Sequence, residues 1–404
     1  MKIIHAHKYY YPRAGAERYM LSSMQMQEHL GHHPIPFSMQ YAKNIATPWS
    51  KYFVTELHTE GDQLAGPLRL AAHAFWSVEA KKNMKKLLKE VKPDVVHVHN
   101  LYTHLSPSIL SACREAGVPV VLSVHDYALV SANYSLWDRG RPMDLERLGL
   151  LATANTRFIK GSFAATLALD LITKLQRRFG MYRHVDRFLA NSQFTANLLM
   201  RARFRKEKIE VVYPFYDERI DSVKKKRSVG KDVVYVGRLV RYKGVHTLID
   251  VMKRMPKTRL RIFGTGPEEA NLKRLANGCE NIVFEGFVKA PRLWEEVQKA
   301  RMVVVPSLWY EAFGLSAVEA MALGVPVIVP DHGGISEIVE DGVSGVRFLA
   351  GDTRSMKDAI ELLLHDSALC TSMGEAAKVR AREISGPNEH IEKLLSVYEE
   401  VARR

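Results

Sequence analysis

Two carboxylates, Glu311 and Glu319, stand eight positions apart within the stretch from Tyr310 to Ile328. Glu311 precedes a turn that contains Gly314, and Glu319 lies two turns into the helix expected to follow. Apolar runs on either side, Met302 to Val305 and Pro326 to Val329, read as buried strands, so the unit is strand–loop–helix–strand of a parallel sheet. The first backbone N–H groups of a helix have no partner within it. Those of Gly314, Leu315 and Ser316 therefore suit a phosphate. Glu311 in the loop and Glu319 on the helix could accept hydrogen bonds from hydroxyls on either side of that phosphate. The arrangement fits a nucleotide-sugar. Glutamates in the first turns of a helix are common for electrostatic reasons alone, so the pair by itself is weak. The Phe313-Gly314 step and the apolar run Ala320 to Ile328 make it far more specific.

Other residues fit the same chemistry. Val236-Gly237-Arg238-Leu239 ends an expected strand and Lys243-Gly244 opens a helix. Arg238 and Lys243 would neutralise a diphosphate, one through a planar fork and the other as a point charge, although most Lys and Arg are simply solvated. Gly264 and Gly266 follow the next strand, and a lone GxG is weak because any tight turn uses glycine. His125-Asp126 follows the strand Pro119 to Val124; His125 could bond a sugar hydroxyl or pack against Asp126. His5/His7 and His97/His99 alternate on two strands that would be neighbours. A metal site there is conceivable, but no carboxylate or thiol joins them, so they read as the floor of a site, with His99 and Asn100 on its acceptor side. The sequence contains no Asp-x-Asp. The expectation is therefore no metal, with Arg238, Lys243 and the helix start carrying the charge instead.

The whole string from Tyr310 to Ile328 resembles the signature of the family 4 glycosyltransferases, retaining enzymes of the GT-B fold. The family's two glutamates, separated by seven residues, match Glu311 and Glu319, and its diphosphate-binding Arg and Lys match Arg238 and Lys243. The resemblance implies that Gly264 and Gly266 lie beside the nucleotide and that Gly286-Phe287 forms the turn whose backbone reads the base. It implies that Phe313 belongs with Gly314, Leu315 and Ser316 to the donor site. Pro12 to Glu17 resembles the family's glycine-rich loop, which approaches diphosphate and acceptor; Gly15 is kept, Ala14 replaces the usual first glycine, and Glu17 falls on the acceptor side. His125-Asp126 matches the family's His-Asp pair. Relatives often continue with a cysteine-bearing segment, and residues 130–140 contain no cysteine. No residue stands out as a covalent nucleophile. The family implies same-face attack, in which the departing phosphate oxygen takes the acceptor's proton and the amides of Gly314 to Ser316 help to hold the charge.

The elements that must position these residues are legible from alternation. At 404 residues the chain suits two domains of about 200 residues. Strands are expected over Lys2–His7, Asp94–Val98, Pro119–Val124 and Arg187–Ala190. Helices are expected over Ala16–Leu30, Trp76–Val91, Pro107–Ala116 and Phe163–Phe179, and a capped one from Ser192. Residues 127–160 show weak periodicity and read as a long loop. The charged stretch Asp217 to Gly230 reads as a linker. The pattern then restarts, with strands at 232–236, 259–263, 281–284 and 302–305. The expectation is α/β of GT-B type: two doubly wound Rossmann-like domains facing an interdomain cleft. Residues 1–220 would bind acceptor and residues 221–385 the nucleotide-sugar. By resemblance, 386–404 would form a helix crossing back to the first domain.

Composition narrows the partners. Residues 1–220 carry 30 Lys+Arg against 19 Asp+Glu, a net +11, while residues 221–404 carry 28 against 25, a net +3. Such a basic half seeks nucleic acid, an anionic membrane or an acidic substrate. Three scattered cysteines fit a reducing cytosol and argue against a zinc or disulfide framework. Neither a signal-peptide stretch nor an apolar run of about 18 residues is visible. The resulting expectation is a cytoplasmic transferase, peripheral on the inner face of the membrane. Its donor would be a nucleoside-diphosphate sugar, and its acceptor a cell-envelope polysaccharide or lipid-linked glycan, lipopolysaccharide included. An epimerase of similar architecture fits the 237–243 and 311–319 pattern less well. A nucleic-acid binder would want aromatics interleaved with its cations, which neither the Lys81–Lys89 run nor Phe163–Phe179 offers.

Overall fold

The computed structural model describes residues 1–56, 71–101, 104–223 and 230–403. The Lys224–Arg227 part of the expected linker lies outside the described residues. The chain divides into two compact units. The first takes 1–136, 144–212 and 391–404, and the second takes 137–143 and 213–390.

The first unit is built on six parallel strands in the order β2-β1-β3-β4-β7-β8. They are β1 (Lys2–His7), β2 (His33–Phe37), β3 (Val95–Asn100), β4 (Val120–Val124), β7 (Arg187–Ala190) and β8 (Ile209–Val211). Strands buried on both faces read as unbroken apolar runs, which is why β1, β3, β4 and β7 lie where the sequence places them. The two outer strands, β2 and β8, have no counterpart in the sequence reading. In β2 the prolines at 34 and 36 disguise a strand, and an edge tolerates them because one row of its N–H groups joins no ladder. The sheet order reverses between β1 and β3. There His5 pairs in register with His97 and His7 with Asn100, across a bulge after Ala6.

The C-terminal helix Pro387–Ala402 presents Ile391, Leu394, Tyr398 and Val401 along one stripe. They pack with Ile3, Val95, Val121 and Leu189 of the first unit's strands. Residues 127–160 are not a plain loop. They hold a two-stranded hairpin, β5 (Trp137–Asp138) with β6 (Arg141–Pro142), a single 3-10 turn at Leu145–Arg147 and a helix over Leu150–Asn155. Elements of two to six residues are too short to show a period.

The helix Phe163–Arg178 is amphipathic as expected, but its polar face is the inner one. Thr166, Asp170, Thr173 and Gln176 are buried. Each is satisfied: Asp170 accepts from the Ala132 N–H at 3.0 Å and from Lys174 at 2.7 Å. Thr166 accepts from the Ile159 N–H at 3.0 Å, Thr173 donates to the Leu169 carbonyl at 3.0 Å, and Gln176 donates to the Ala74 carbonyl at 2.8 Å. Phe163, Leu171 and, just beyond the helix, Phe179 face outward, joined by Leu151 at 68% exposure.

The second unit repeats the theme with β9 (Val233–Val236), β10 (Leu260–Phe263), β11 (Ile282–Gly286), β12 (Met302–Val304), β13 (Val327–Pro330) and β14 (Gly345–Phe348). All are parallel in the order β11-β10-β9-β12-β13-β14. This is the doubly wound order of dinucleotide-binding sheets, and its reversal falls between β9 and β12. The strand β14 escaped the sequence reading, since Gly345-Val-Arg-Phe is short and opens on glycine. Among the described residues no helix is long and apolar enough to cross a membrane.

Candidate functional site

Ligands of open α/β sheets bind beyond the carboxyl ends of the strands where the order reverses. In the second unit those ends are the loops after β9 and β12. The first holds Arg238 and Lys243, and the second holds Ser307 and Glu311. Lys243 Nζ lies 2.5 Å from Glu311 Oε1, and Ser307 Oγ donates to the same oxygen at 2.5 Å. The ammonium also sits 5.4 Å from the centroid of the Trp309 ring. Glu311 is buried, with 7% of its side chain exposed, against 24% for Lys243. Burial alone pushes its carboxyl up. The charge of Lys243 and the hydrogen bonds from Lys243 and Ser307 together outweigh that and hold it below the usual carboxylate range. Arg238 is exposed. Its carbonyl accepts from the buried Tyr235 hydroxyl at 3.1 Å, which ties down the start of the loop.

The glycines here are demanded by the packing of neighbouring loops. A Cβ on Gly264 would stand 1.9 Å from the Gly237 carbonyl oxygen, and one on Gly266 2.2 Å from that of Leu239. The same loops are stitched by Leu239 N–H to the Thr265 carbonyl at 3.0 Å and Gly264 N–H to the Gly286 carbonyl at 2.7 Å. The Gly237, Gly264 and Gly286 turns thus form one continuous rim along the ends of β9, β10 and β11. Phe287, after Gly286, is 62% exposed.

The helix expected after Gly314 spans Leu315–Ala322, and no side chain caps it. Gly314 has φ of 119°, a conformation L side chains rarely adopt, so it aims the chain into the helix without a capping residue. Glu319 lies on this helix, half-buried. Phe313 does not face a ligand. It is buried in the unit's core and stacks on Tyr213 with centroids 5.6 Å apart, so its part is to anchor the turn from below.

The first unit's reversal point is lined by imidazoles. Gln27, from the helix Gly15–His29, places Oε1 2.8 Å from His5 Nε2. His5 Nδ1 lies 3.0 Å from His99 Nε2, and His99 Nδ1 lies 3.2 Å from His125 Nε2. His97 bonds elsewhere, through Nε2 to Ser123 Oγ at 2.7 Å and through Nδ1 to the Tyr398 hydroxyl at 2.5 Å. His5, His97 and His99 bring nitrogens within 4.8 Å of one another, close enough to suggest an ion site. All six of their nitrogens already have hydrogen-bond partners, so the cluster is accounted for without a ligated ion.

Burial lowers His5 and His125 to about 4 and His7 to about 3. It also holds His99 well below the usual imidazole range, and neighbouring histidines add to that effect. At neutral pH these rings are uncharged donors and acceptors.

Two sequence expectations shift here. His99, 2% exposed with both nitrogens bonded to histidines, reaches any ligand only through His125. Glu17 is buried, and its Oε2 accepts from the Ala14 N–H at 3.1 Å, closing the start of its own helix. Among the described residues, the buried Asn100 Oδ1 has no hydrogen-bond partner, and neither has Nε2 of His7, its register neighbour. The sequence reading had set His7 on the site floor without a role. The alternation of His5 with His7 was the signal that could have found it. A Cβ on Gly15 would meet nothing within 4 Å, so neither packing nor backbone demands glycine there.

Comparison with known proteins follows the same division. The Glycosyltransferase Family 4 profile matches residues 13–219, and the Glycosyl transferases group 1 profile matches residues 217–380. The sulfoquinovosyl transferase SQD2 of Arabidopsis thaliana is 26% identical over 296 residues, covering 71% of this chain and 53% of its own length. The D-inositol 3-phosphate glycosyltransferase of Corynebacterium aurimucosum is 36% identical over 168 residues, 38% of this chain and 40% of its own. The chain thus spans about half the length of these relatives or less. In three dimensions, sucrose-phosphate synthase from Thermosynechococcus elongatus superposes with a TM-score of 0.69 at 18% identity, covering 99% of this chain and 98% of that one. Anabaena HepE in complex with UDP and glucose gives 0.67 at 18% identity, covering 99% and 100%. Sheet order, superpositions and both profiles agree: the chain belongs to glycosyltransferase family 4 and has the GT-B fold.

Proposed function

We propose that this protein is a retaining, metal-independent glycosyltransferase. It would move a sugar from a nucleoside-diphosphate donor to a hydroxyl of a cell-envelope polysaccharide or lipid-linked glycan. The observation that carries the reading is the placement of Arg238, Lys243 and Glu311 at the reversal point of the second sheet, in a unit that also holds the uncapped helix start after Gly314. In this reading Arg238, Lys243 and the first helix amides stabilise the diphosphate as it leaves. Glu311 first holds Lys243 in position and offers its remaining oxygen to donor hydroxyls, while Glu319 takes the ribose. The backbone at Gly286-Phe287 meets the base. With no nucleophilic side chain assigned, attack and departure occur on one face of the sugar, and the leaving phosphate oxygen takes the acceptor's proton. That the HepE structure holds UDP supports a uridine donor among the candidates.

The acceptor falls to the first unit. His125, the unpaired Asn100 Oδ1 and the unpaired His7 Nε2 offer an acceptor and donor set suited to hydroxyls. Gly15 leaves room at the start of its helix for a ligand's close approach.

The outward apolar face of Phe163–Phe179, with exposed Arg157, Lys160 and Arg178 nearby, supports a peripheral membrane location and a lipid-linked acceptor. The lysine-rich helix supports it less than expected, because Lys81 and Lys85 both pair with Glu115.

The deciding experiment is a donor screen with UDP-, GDP- and ADP-sugars, followed by NMR of the early product's anomeric centre. Retention with one donor is expected. Inversion rejects the mechanism, and wild-type turnover by a folded Arg238→Ala protein rejects the diphosphate assignment.

A further inference from the structure

The bonds at the first reversal point have a direction. A neutral imidazole carries one N–H and one lone pair, and a carboxamide oxygen can only accept. Gln27 Oε1 faces His5 Nε2, and the Gln27 Nε2 is buried with no hydrogen-bond partner among the described residues; with the amide in this orientation His5 donates to it and the His5 Nδ1 is left as an acceptor. The proton between His5 and His99 must then sit on His99 Nε2, which makes His99 Nδ1 an acceptor. The proton between His99 and His125 must in turn sit on His125 Nε2. Three rings are thus polarised by one amide. They also lie almost parallel: His5 and His99 are inclined by 16° with centroids 5.3 Å apart, and His99 and His125 by 16° at 5.5 Å. His97 packs 4.0 Å from His99, centroid to centroid, but its own bonds go to Ser123 and Tyr398, so it does not compete.

We infer that Gln27, His5 and His99 form a buried hydrogen-bond relay that fixes His125 as its Nε2–H tautomer, so that the nitrogen His125 has left for a ligand, Nδ1, is an acceptor. Gln27, His5 and His99 are positioning residues, since none of them reaches a ligand. The relay transmits orientation and does not store a proton: its far end is a carbonyl oxygen, which cannot take one at neutral pH. Reversing the Gln27 amide would move all three protons and turn His125 Nδ1 into a donor. A residue two histidines away therefore decides whether His125 receives a hydroxyl's hydrogen or offers its own. The identity of that hydroxyl, on a sugar, rests on the proposed transferase reading; the relay does not.

The test is a long-range 1H–15N spectrum of the full chain labelled at histidine, recorded near pH 7.5 without substrate. The His125 signals are assigned by their loss in His125→Asn. The expected result is a protonated-type shift at Nε2 and a lone-pair-type shift at Nδ1. Gln27→Leu removes the terminal acceptor and should release the tautomer, giving averaged His125 shifts. It should also lower kcat by about 3- to 10-fold, the worth of one neutral hydrogen bond. A protonated Nδ1 in the unaltered protein overturns the relay, and so does a His125 tautomer unmoved in folded Gln27→Leu. The wild-type spectrum decides even if that variant does not fold. Because it needs no substrate, the relay can fail while the transferase reading stands, and the reverse.

Discussion

Removing either partner of the Lys243–Glu311 pair should have unequal consequences, and the inequality can be worked out from burial. In Lys243→Met the carboxylate stays behind with 7% of its side chain exposed, without its cation, and with the Ser307 hydroxyl and the Trp309 N–H to steady its charge. Leaving one charge of a buried pair uncompensated costs roughly 3–5 kcal/mol. In Glu311→Gln the lysine, 24% exposed, can turn its ammonium toward water, and the new amide oxygen can still accept from Ser307. That change should cost about 1–1.5 kcal/mol, the scale of a weakened hydrogen bond.

The two variants should also differ in pH dependence. In the unaltered protein the Glu311 carboxyl is held low, so its contribution is present above the unfolded carboxylate value and is lost as pH falls. In Lys243→Met the largest effect opposing burial is gone and the carboxyl rises; the penalty is then full near pH 8 and relieved as the carboxyl takes a proton on acidification. The deficit of Lys243→Met should therefore narrow from pH 8 to pH 5. Urea unfolding measures it in a Trp49→Phe, Trp76→Phe background, where the three tryptophans left, of five in the chain, all lie in the second unit. Equal losses for the two variants, or a deficit that widens on acidification, would refute the argument.

Other outcomes follow from the same geometry. His5, His7 and His125 are neutral in the folded state and protonate on unfolding, so stability held above pH 6.5 is lost as pH falls toward about 4. Each should contribute a loss of about 1 kcal/mol between pH 6.5 and 5.5, and a first-unit stability that stays flat over that range would contradict their burial as neutral rings. Chelation with EDTA should leave turnover unchanged if, as proposed, Arg238 and Lys243 meet the diphosphate; loss restored by magnesium or manganese would contradict the metal-independent reading. The protein should sediment with anionic but not neutral vesicles, each basic residue near the surface adding on the order of 1 kcal/mol. Leu171→Glu with Phe179→Glu should abolish that binding at low salt, and wild-type binding by the double variant would remove the outward face from consideration.

What the sequence discloses, and what it hides, has a physical pattern. The central strands and the loops that carry Arg238, Lys243, Glu311 and Gly314 are legible because buried parallel strands are continuous apolar runs and strand-to-helix turns are marked by glycine. Edge strands such as β2 and β14 are not, since half of their ladder is missing and prolines or glycine replace the β-branched pattern. The orientation of Phe163–Arg178 was also hidden. A helical period shows that two faces differ; it does not say which one is inside. Here Asp170, Thr166 and Gln176 find backbone partners within the fold, and that settlement is tertiary. Phe313 looked like a ligand contact because of the motif around it, and only packing shows that its ring belongs to the core. The roles of Glu17 and His99 changed for the same reason: a polar side chain's partner is chosen by the fold, not by its neighbours in sequence.

The two reversal points share a topology and differ in charge. The second sheet keeps a buried ammonium–carboxylate pair ionised, because each partner offsets the other's loss of water. The first sheet offers no counter-charge to its histidines, so burial leaves them neutral, and the network of His5, His99 and His125 satisfies itself by proton direction alone. The fixed cations near the first point, Lys8 and Arg13, lie on the His7 side and help to keep that ring neutral. A neutral hydroxyl would find a lone pair on His125 and an unpaired amide oxygen on Asn100. At the second point Lys243 and Ser307 both engage Glu311 Oε1, which in the proposed reading leaves the other oxygen for a donor hydroxyl, while a diphosphate would meet Lys243 and Arg238. In the proposed reading, then, the local groups and not the net charge of each unit divide the substrates: Lys243 and Arg238 suit the anionic leaving group, and the neutral rings suit an uncharged hydroxyl. That division needs the imidazoles neutral, which ties the proposed acceptor binding to a pH above the range in which buried His125 takes up a proton, about 4.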